Sequence, residues 1–254
     1  MSTPYRADHL TGYMQRAASH LAALPAGAKI LDLPAGGGYL TDELRRRGYW
    51  VISADIDRAR DDYVYADMTQ RLPFADNTFE GVVCLEGIEH VLNPFLLIGE
   101  LIRVARAGGR IVLSTPNIMN MYSRLQFLFT GTFHQFHPAL LEEVAPGEVR
   151  DRFHVSPLSY PTLRYLGDYF GADVVHIDGD KVKRLVFMPL YLVVLVLGRI
   201  WSYRLFFSPC YRTHRERNRQ LFREINSSPT LFSRSLVLVF EKRRSARQPS
   251  AIAA

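Results

Sequence analysis

The stretch ILDLPAGGGYL, residues 30–40, decides how this chain is read. A short apolar run carries Asp32 and is followed by three consecutive glycines. The next segment, YLTDELRRRG, has the pattern of an amphipathic helix. Glycine loses more backbone freedom on folding than any other residue, so three in a row need a reason. One reason is a linker. The flanks favour another: a strand–turn–helix junction where the backbone approaches a ligand and offers it amides at a helix N-terminus. Gly36 and Gly38 fit the dinucleotide pattern G-x-G-x-x-G, but its third glycine is replaced by Thr41, which disfavours a nicotinamide oxidoreductase. The Gly-Lys-Ser/Thr of a triphosphate-binding loop is absent.

Outward from this stretch, short apolar runs alternate with amphipathic ones. The runs are KILDL (29–33), WVISA (50–54), YVYA (63–66), GVVCL (81–85), RIVLST (110–115) and DVVHI (173–177). Several are nearly continuous in Val, Ile and Leu, as in strands buried on both faces. A helical opening is predicted over about Tyr5–Leu24. FLLIGELIRVARAGG places Leu97, Ile98, Leu101, Ile102 and Ala105 on one helix face, closed by Gly108 and Gly109. SYPTLRYLGDYFG repeats the pattern up to Gly171. This alternation predicts an α/β fold: a doubly wound, mostly parallel sheet with helices on both faces. SLVLVFEK (235–242) is predicted to return as an antiparallel strand.

Composition sets the outer limits. The 254 residues are 48% hydrophobic and 22% charged, which supports a sizeable core. The two cysteines, Cys84 and Cys210, form no ligand pattern, so neither a disulfide framework nor a metal site is predicted. The opening residues lack a basic-then-apolar signal pattern, and a cytoplasmic location is expected. Charge is unevenly spread. Residues 1–180 carry 16 Lys+Arg against 22 Asp+Glu, whereas residues 181–254 carry 15 against 3. The basic end points to a polyanion, either nucleic acid or an anionic membrane surface.

Between about Lys29 and Asp178 the chain resembles the class I S-adenosylmethionine-dependent methyltransferases, in particular the small-molecule group of quinone and glycan biosynthesis. The ordered set of motifs carries the resemblance: ILDLPAGGGYL, then VISADID, then YADMTQRLPFADNTFEGVVCLEGIEHV, then ELIRVARAGGRIVLSTPN. It implies a seven-stranded Rossmann-like methyltransferase fold and S-adenosylmethionine as cofactor. Gly36 and Gly38 then allow close backbone approach. Asp55 accepts the ribose hydroxyls, or is an ordinary solvated acid. Asp67 accepts from the adenine amino group with Met68 against the ring, or is a turn residue. Asp32 and Glu86 border the amino acid end, or Asp32 only orders the turn. One departure is Pro34, which stands where the turn usually begins with glycine and removes one amide donor.

Methyl transfer needs an aligned acceptor, exclusion of water and, for some acceptors, a base. His154 and His90 are the candidates for the base; His90 also fits a structural role beside Glu89. His134 and His137 lie among Phe127, Phe129, Phe133 and Phe136, an aromatic group that reads either as a lid or as local packing.

The chain divides into a core with its N-terminal helix (1–180), an apolar and basic insertion (181–233), the final strand (234–245) and a disordered tail (246–254). The insertion opens KVKRLVFMPLYLVVLVLGRIWSYRLFF, uncharged from Leu185 to Gly198 and flanked by cations and aromatic rings. Those 14 residues fall short of the roughly 20 of a spanning helix, Arg199 interrupts, and Pro189 disfavours a straight helix interior. The reading is an interfacial element beside the site; the other is a buried core helix or dimer interface. The expected activity is O-methylation of a small or lipid-linked acceptor at the cytoplasmic membrane face. A non-catalytic adenosylmethionine-binding scaffold and a nucleic acid methyltransferase are the alternatives. LEGIEH disfavours the second, because it stands where base-methylating enzymes carry Asn/Asp-Pro-Pro-aromatic.

Overall fold

The computed structural model describes residues 9–57, 60–137, 153–182, 185–207 and 215–244. The strands are β1 (Lys29–Asp32), β2 (Trp50–Asp55), β3 (Val64–Tyr65), β4 (Phe79–Leu85), β5 (Ala105–Pro116), β6 (Ala172–Gly179) and β7 (Ser235–Lys242). They form one sheet in the order β3-β2-β1-β4-β5-β7-β6. All pair in parallel except β7, which is antiparallel to β5 and β6. The predicted seven-stranded, mostly parallel sheet is therefore the one observed.

Among the described residues, eight α-helices accompany it: α1 (Gly12–His20), α2 (Tyr39–Arg46), α3 (Pro94–Val104), α4 (Met121–Thr130), α5 (Tyr160–Phe170), α6 (Met188–Phe206), α7 (Arg215–Ile225) and α8 (Ser228–Phe232). Their burial follows the apolar spacing. Leu97, Leu101, Leu163 and Leu166 press α3 and α5 onto one sheet face. Ala17, Ala18, Leu40 and Leu44 press α1 and α2 onto the other. Side-chain caps set the starts: Asn93 accepts from the Leu96 amide ahead of Pro94, and Ser159 from the Thr162 amide ahead of Tyr160.

Three readings need correction. The helix before β5 ends at Val104, and residues 105–109 already belong to the strand, so Gly108 and Gly109 do not close the helix. Phe127 and Phe129 lie on a helix, α4, that sequence periodicity did not show. Asn120 caps it, and Gly131 ends it at φ 69°. Pro189 sits in the first turn of α6, where its missing amide costs no hydrogen bond, and the helix runs unbroken through Arg199 to Phe206. The first residues of the predicted opening helix, 5–8, and the tail, 246–254, lie outside the described residues.

The C-terminal ends of the parallel strands share one rim. Ser235, the first residue of β7, pairs with Pro116 at the end of β5, and its carbonyl accepts from Asp180 just past β6. The insertion therefore leaves and rejoins the sheet on the rim where open α/β sheets bind their ligands.

Candidate active site

The glycine turn is anchored on both neighbouring strands: the Leu33 amide donates to the Val83 carbonyl and the Ala35 amide to the Ala54 carbonyl, each at 3.0 Å. The Leu33–Pro34 peptide is cis. Gly36 and Gly38 adopt φ of 54° and 80°, values that side chains resist. A Cβ on Gly36 would meet nothing within 4 Å, so open ground lies beside the turn. Two side chains outside the motif hold its carbonyls. The Tyr63 hydroxyl donates to Gly36 O at 3.2 Å, and Arg60 Nη2 donates to Gly37 O at 2.8 Å while pairing with Asp42. Burial pushes the Tyr63 phenol up to about 12. Sequence reading missed both, because neither follows a motif and only the loop path brings them to the turn.

Asp55 closes β2 and faces the turn. Its Oδ2 accepts the Gly36 amide at 2.9 Å and its Oδ1 the Asp57 amide at 3.0 Å. A carboxylate offers about four acceptor positions, so two amides leave capacity for a diol. Past β3, Asp67 Oδ1 accepts the amide and hydroxyl of Thr69, each at 2.8 Å. Met68 packs on the core, its Cε 3.4 Å from where a Gly87 Cβ would stand. The same Cβ would lie 2.6 Å from Pro34 Cδ, so the proline of the turn seats directly against Gly87.

Asp32 is buried under the turn. Thr41 Oγ1 donates to it at 2.7 Å and lies 2.9 Å from Ser53 Oγ. Burial pushes the Asp32 carboxyl up to about 7, with the Thr41 hydrogen bond opposing. These contacts order the turn. They also explain Thr41: the third position of the dinucleotide pattern holds a hydroxyl that satisfies Asp32. At the end of β4, Glu86 adopts φ 48°, a left-handed value that non-glycine residues hold at some cost and that concentrates at functional sites. Its carboxylate accepts from Ser114 at 2.8 Å and Ser235 at 3.4 Å, and burial pushes it up to about 6.

The two candidate bases meet. The rings of His90 and His154 stand edge to face with centroids 4.7 Å apart. Glu89, fully buried, joins them: ligating atoms of Glu89, His90 and His154 all lie within 4.8 Å of one another. This arrangement suits proton transfer and can also take a divalent cation. Thr115 donates to Glu89 Oε2 at 3.2 Å, and the Glu89 carbonyl accepts the amides of Val155 and Ser156, which lays His154 against the turn after β4. From the aromatic group, Phe136 reaches His154 at 5.4 Å. Phe127 stacks on Phe133 at 4.5 Å, His134 meets Tyr122 at 5.0 Å, and Phe129 and His137 are exposed. Asn117, 1% exposed, was also missed. Its amide donates to the carbonyls of Pro229, Thr230 and Ser233 and ties the returning insertion to the end of β5.

The model of the family described as a methyltransferase domain matches residues 5–177. The chain belongs to this family. The demethylmenaquinone methyltransferase of Mycolicibacterium paratuberculosis is 35% identical over 116 residues, covering 41% of this chain and 50% of that protein. That of Mycobacterium sp. (strain JLS) is 39% identical over 100 residues, covering 35% and 44%. The chain thus spans about half the length of the curated relatives it matches. A SAM-dependent methyltransferase from Archaeoglobus fulgidus superposes with a TM-score of 0.56 at 16% identity, over 90% of this chain and 92% of that one. The 1,6-didemethyltoxoflavin-N1-methyltransferase of Burkholderia thailandensis, solved with S-adenosylhomocysteine bound, superposes at 0.50 and 13% identity, over 91% and 78%. At these identities the likeness is one of fold. The chain is thus a methyltransferase-domain protein whose glycine turn, Asp55, Asp67 and Glu86 lie on one strand-end rim.

Proposed function

We propose that this methyltransferase moves the methyl group of S-adenosylmethionine to an oxygen of an amphiphilic acceptor, a quinol-type ring or a polyprenyl-linked glycan, at the cytoplasmic membrane face. The observation that carries the reading is the open glycine turn facing the Asp55 carboxylate on the ligand-binding rim. Asp55 would hold the ribose diol and Asp67 the adenine amino group, with Met68 against the ring. Gly36 would give close backbone approach, whereas the Arg60 guanidinium fills the space beside Gly38, and Asp32 and Glu86 would border the amino acid end. The cofactor, when bound, supplies a methyl group on a sulfonium, an electrophile that needs no further activation.

What remains for the protein is to orient the acceptor, exclude water and take a proton. The Glu89–His90–His154 group suits the last task. A buried carboxylate stabilises the imidazolium that forms when His154, or His90, accepts a hydroxyl proton, and low local polarity strengthens that pairing. Phe136 against His154 helps keep water from that side.

Support for a membrane setting comes from α6. Among the described residues it is the one helix long and apolar enough to cross a membrane. Only Tyr191 of its 19 residues is buried, whereas Leu192, Val193, Val196, Leu197, Ile200, Trp201 and Leu205 are exposed. Yet both its ends are tied to one domain. Met188 and Tyr191 pack with Met121 and Leu231, and the Phe206 carbonyl accepts from Asn218 on α7. In turn, α7 is fixed to α5 by Glu224, which accepts from Tyr160 and pairs with Arg164. With both ends held to one domain, α6 would meet a bilayer from the protein's surface.

The test is methyl transfer from methyl-labelled S-adenosylmethionine to isoprenoid hydroquinones and polyprenyl-phosphate-linked sugars presented in vesicles. An alkali-stable methyl ether on one of these classes supports the proposal. Cofactor binding without transfer to any of them refutes the acceptor class, and label on RNA or DNA would replace it.

A further inference from the structure

The membrane-face reading uses the apolar surface of α6 but leaves the cleft beside it without a role. This cleft, about 440 Å³, lies between α6 and α7 and is lined by Tyr203, Phe207, Arg215, Arg219, Phe222 and Arg223. Three of the six lining side chains are arginines and three are aromatic. The arginines stand at successive i, i+4 positions of α7, so they share one stripe. Like charges at that spacing repel. Among the described residues no carboxylate pairs with Arg215 or Arg223, and Arg219 has only Glu216 at 3.7 Å, on a side chain 79% exposed. The contrast lies on the same helix. Arg217, facing away from the stripe, pairs with Asp168. A fourth cation, Arg199, reaches in from α6 with its guanidinium 5.8 Å from the Phe222 ring centroid.

Three features together fix the chemistry of the occupant. Guanidinium forks match phosphate oxygens, and an unneutralised stripe of them calls for an anion. The aromatic floor made by Phe207 and Phe222, whose centroids are 5.8 Å apart, suits the apolar neck that follows a headgroup. Exposed Val196, Leu197, Ile200 and Leu205 on the adjoining helix suit acyl chains. A soluble phosphate has no use for that apolar flank, and a nucleic acid backbone would meet it as a barrier.

We propose that the α6–α7 cleft is a binding site for the phosphate headgroup of an anionic membrane lipid, whose acyl chains lie against α6. The site orients the rim of the methyltransferase toward the bilayer. This rests on the membrane-face reading, and the experiment separates the two.

The full chain is floated with vesicles of phosphatidylcholine alone and of phosphatidylcholine doped with phosphatidylglycerol. Three variants accompany the wild type: R215Q/R219Q/R223Q, the charge-retaining R215K/R219K/R223K, and L192E/L197E on α6. A basic residue at an anionic surface contributes roughly 5-fold in affinity, so the glutamine variant should bind doped vesicles on the order of 100-fold more weakly. It should keep the residual binding to neutral vesicles, and the lysine variant should retain most of the preference. The α6 variant should lose binding to both compositions. Unchanged circular dichroism shows that each variant is folded, and the single variant R219Q serves if the triple variant is not.

Wild-type binding to both compositions alike, unaffected by the glutamine changes, overturns the headgroup site and leaves the membrane reading standing. Binding to neither composition overturns both. A thermal shift with inorganic phosphate that the glutamine variant loses, without any vesicle preference, overturns the lipid and points to a free phosphate. Salt-sensitive binding of a single-stranded RNA oligomer without vesicle preference overturns it in favour of nucleic acid.

Discussion

Replacing Asp32 by asparagine should make the protein more stable at neutral and alkaline pH. Asp32 is buried beneath the glycine turn, and burial lifts its carboxyl from an ordinary 3.8 to about 7. Between these two values the native protein holds a proton that the unfolded chain has released. Native protein therefore binds more protons, and its stability falls as pH rises through that window. A gap of about three pH units, at about 1.4 kcal/mol each, amounts to about 4 kcal/mol once the pH exceeds about 7. Asparagine has the same shape, carries no charge, and keeps an oxygen for Thr41 Oγ1, which now donates to Asp32 at 2.7 Å. The assay is urea unfolding of wild type and Asp32→Asn from about pH 4 to about pH 8. Glu86 and the surface carboxylates titrate in both proteins, so the difference between the curves isolates Asp32. The variant should gain up to about 4 kcal/mol at the alkaline end, and the gain should shrink toward zero at the acid end. Parallel curves, or a variant less stable at pH 8, would show that Asp32 is ionised at little cost and that the reasoning is wrong.

Gly87→Ala should destabilise by about 1–3 kcal/mol, because the new Cβ would lie 2.6 Å from Pro34 Cδ; a lower melting temperature with weaker S-adenosylhomocysteine binding checks it. Asn117→Ala strips donors from three carbonyls of the returning insertion. The expected loss is about 1–3 kcal/mol, read as a lower unfolding midpoint and faster proteolysis near residues 228–233. His154→Ala should lower kcat by about 100-fold or more and leave S-adenosylhomocysteine affinity unchanged, as removal of a general base requires; loss of affinity in step with kcat would place His154 at the cofactor instead.

Much of this was legible because it is local. A continuous apolar run that ends in Asp32 and turns on glycines is a pattern written within 11 residues, and the alternation of runs around it leaves few sheet topologies open. Asp55 could be picked out because a strand end and a fixed distance from the turn place it. The illegible part depends on long-range geometry. Arg60 and Tyr63 hold the turn from a loop, and Asn117 acts on carbonyls more than 110 residues away. The His90–His154 contact requires residues 153–156 to lie on the turn after β4, which no spacing announces. α4 was hidden because its aromatic residues, of weak helical period, read equally as a lid. In α6 the difference is local: Pro189 stands in the first turn, which accepts proline, and not in the helix interior.

The central claim is that an adenosyl-sulfur compound is held between the glycine turn and Asp55. Isothermal titration of wild type and Asp55→Asn with S-adenosylhomocysteine tests it most directly. One site per chain is expected in the wild type. The variant should lose about 10-fold to 150-fold in affinity, the worth of charge-assisted hydrogen bonds to a diol, with the fold intact by circular dichroism. Absence of heat in the wild type, or equal affinity in the two proteins, would contradict it.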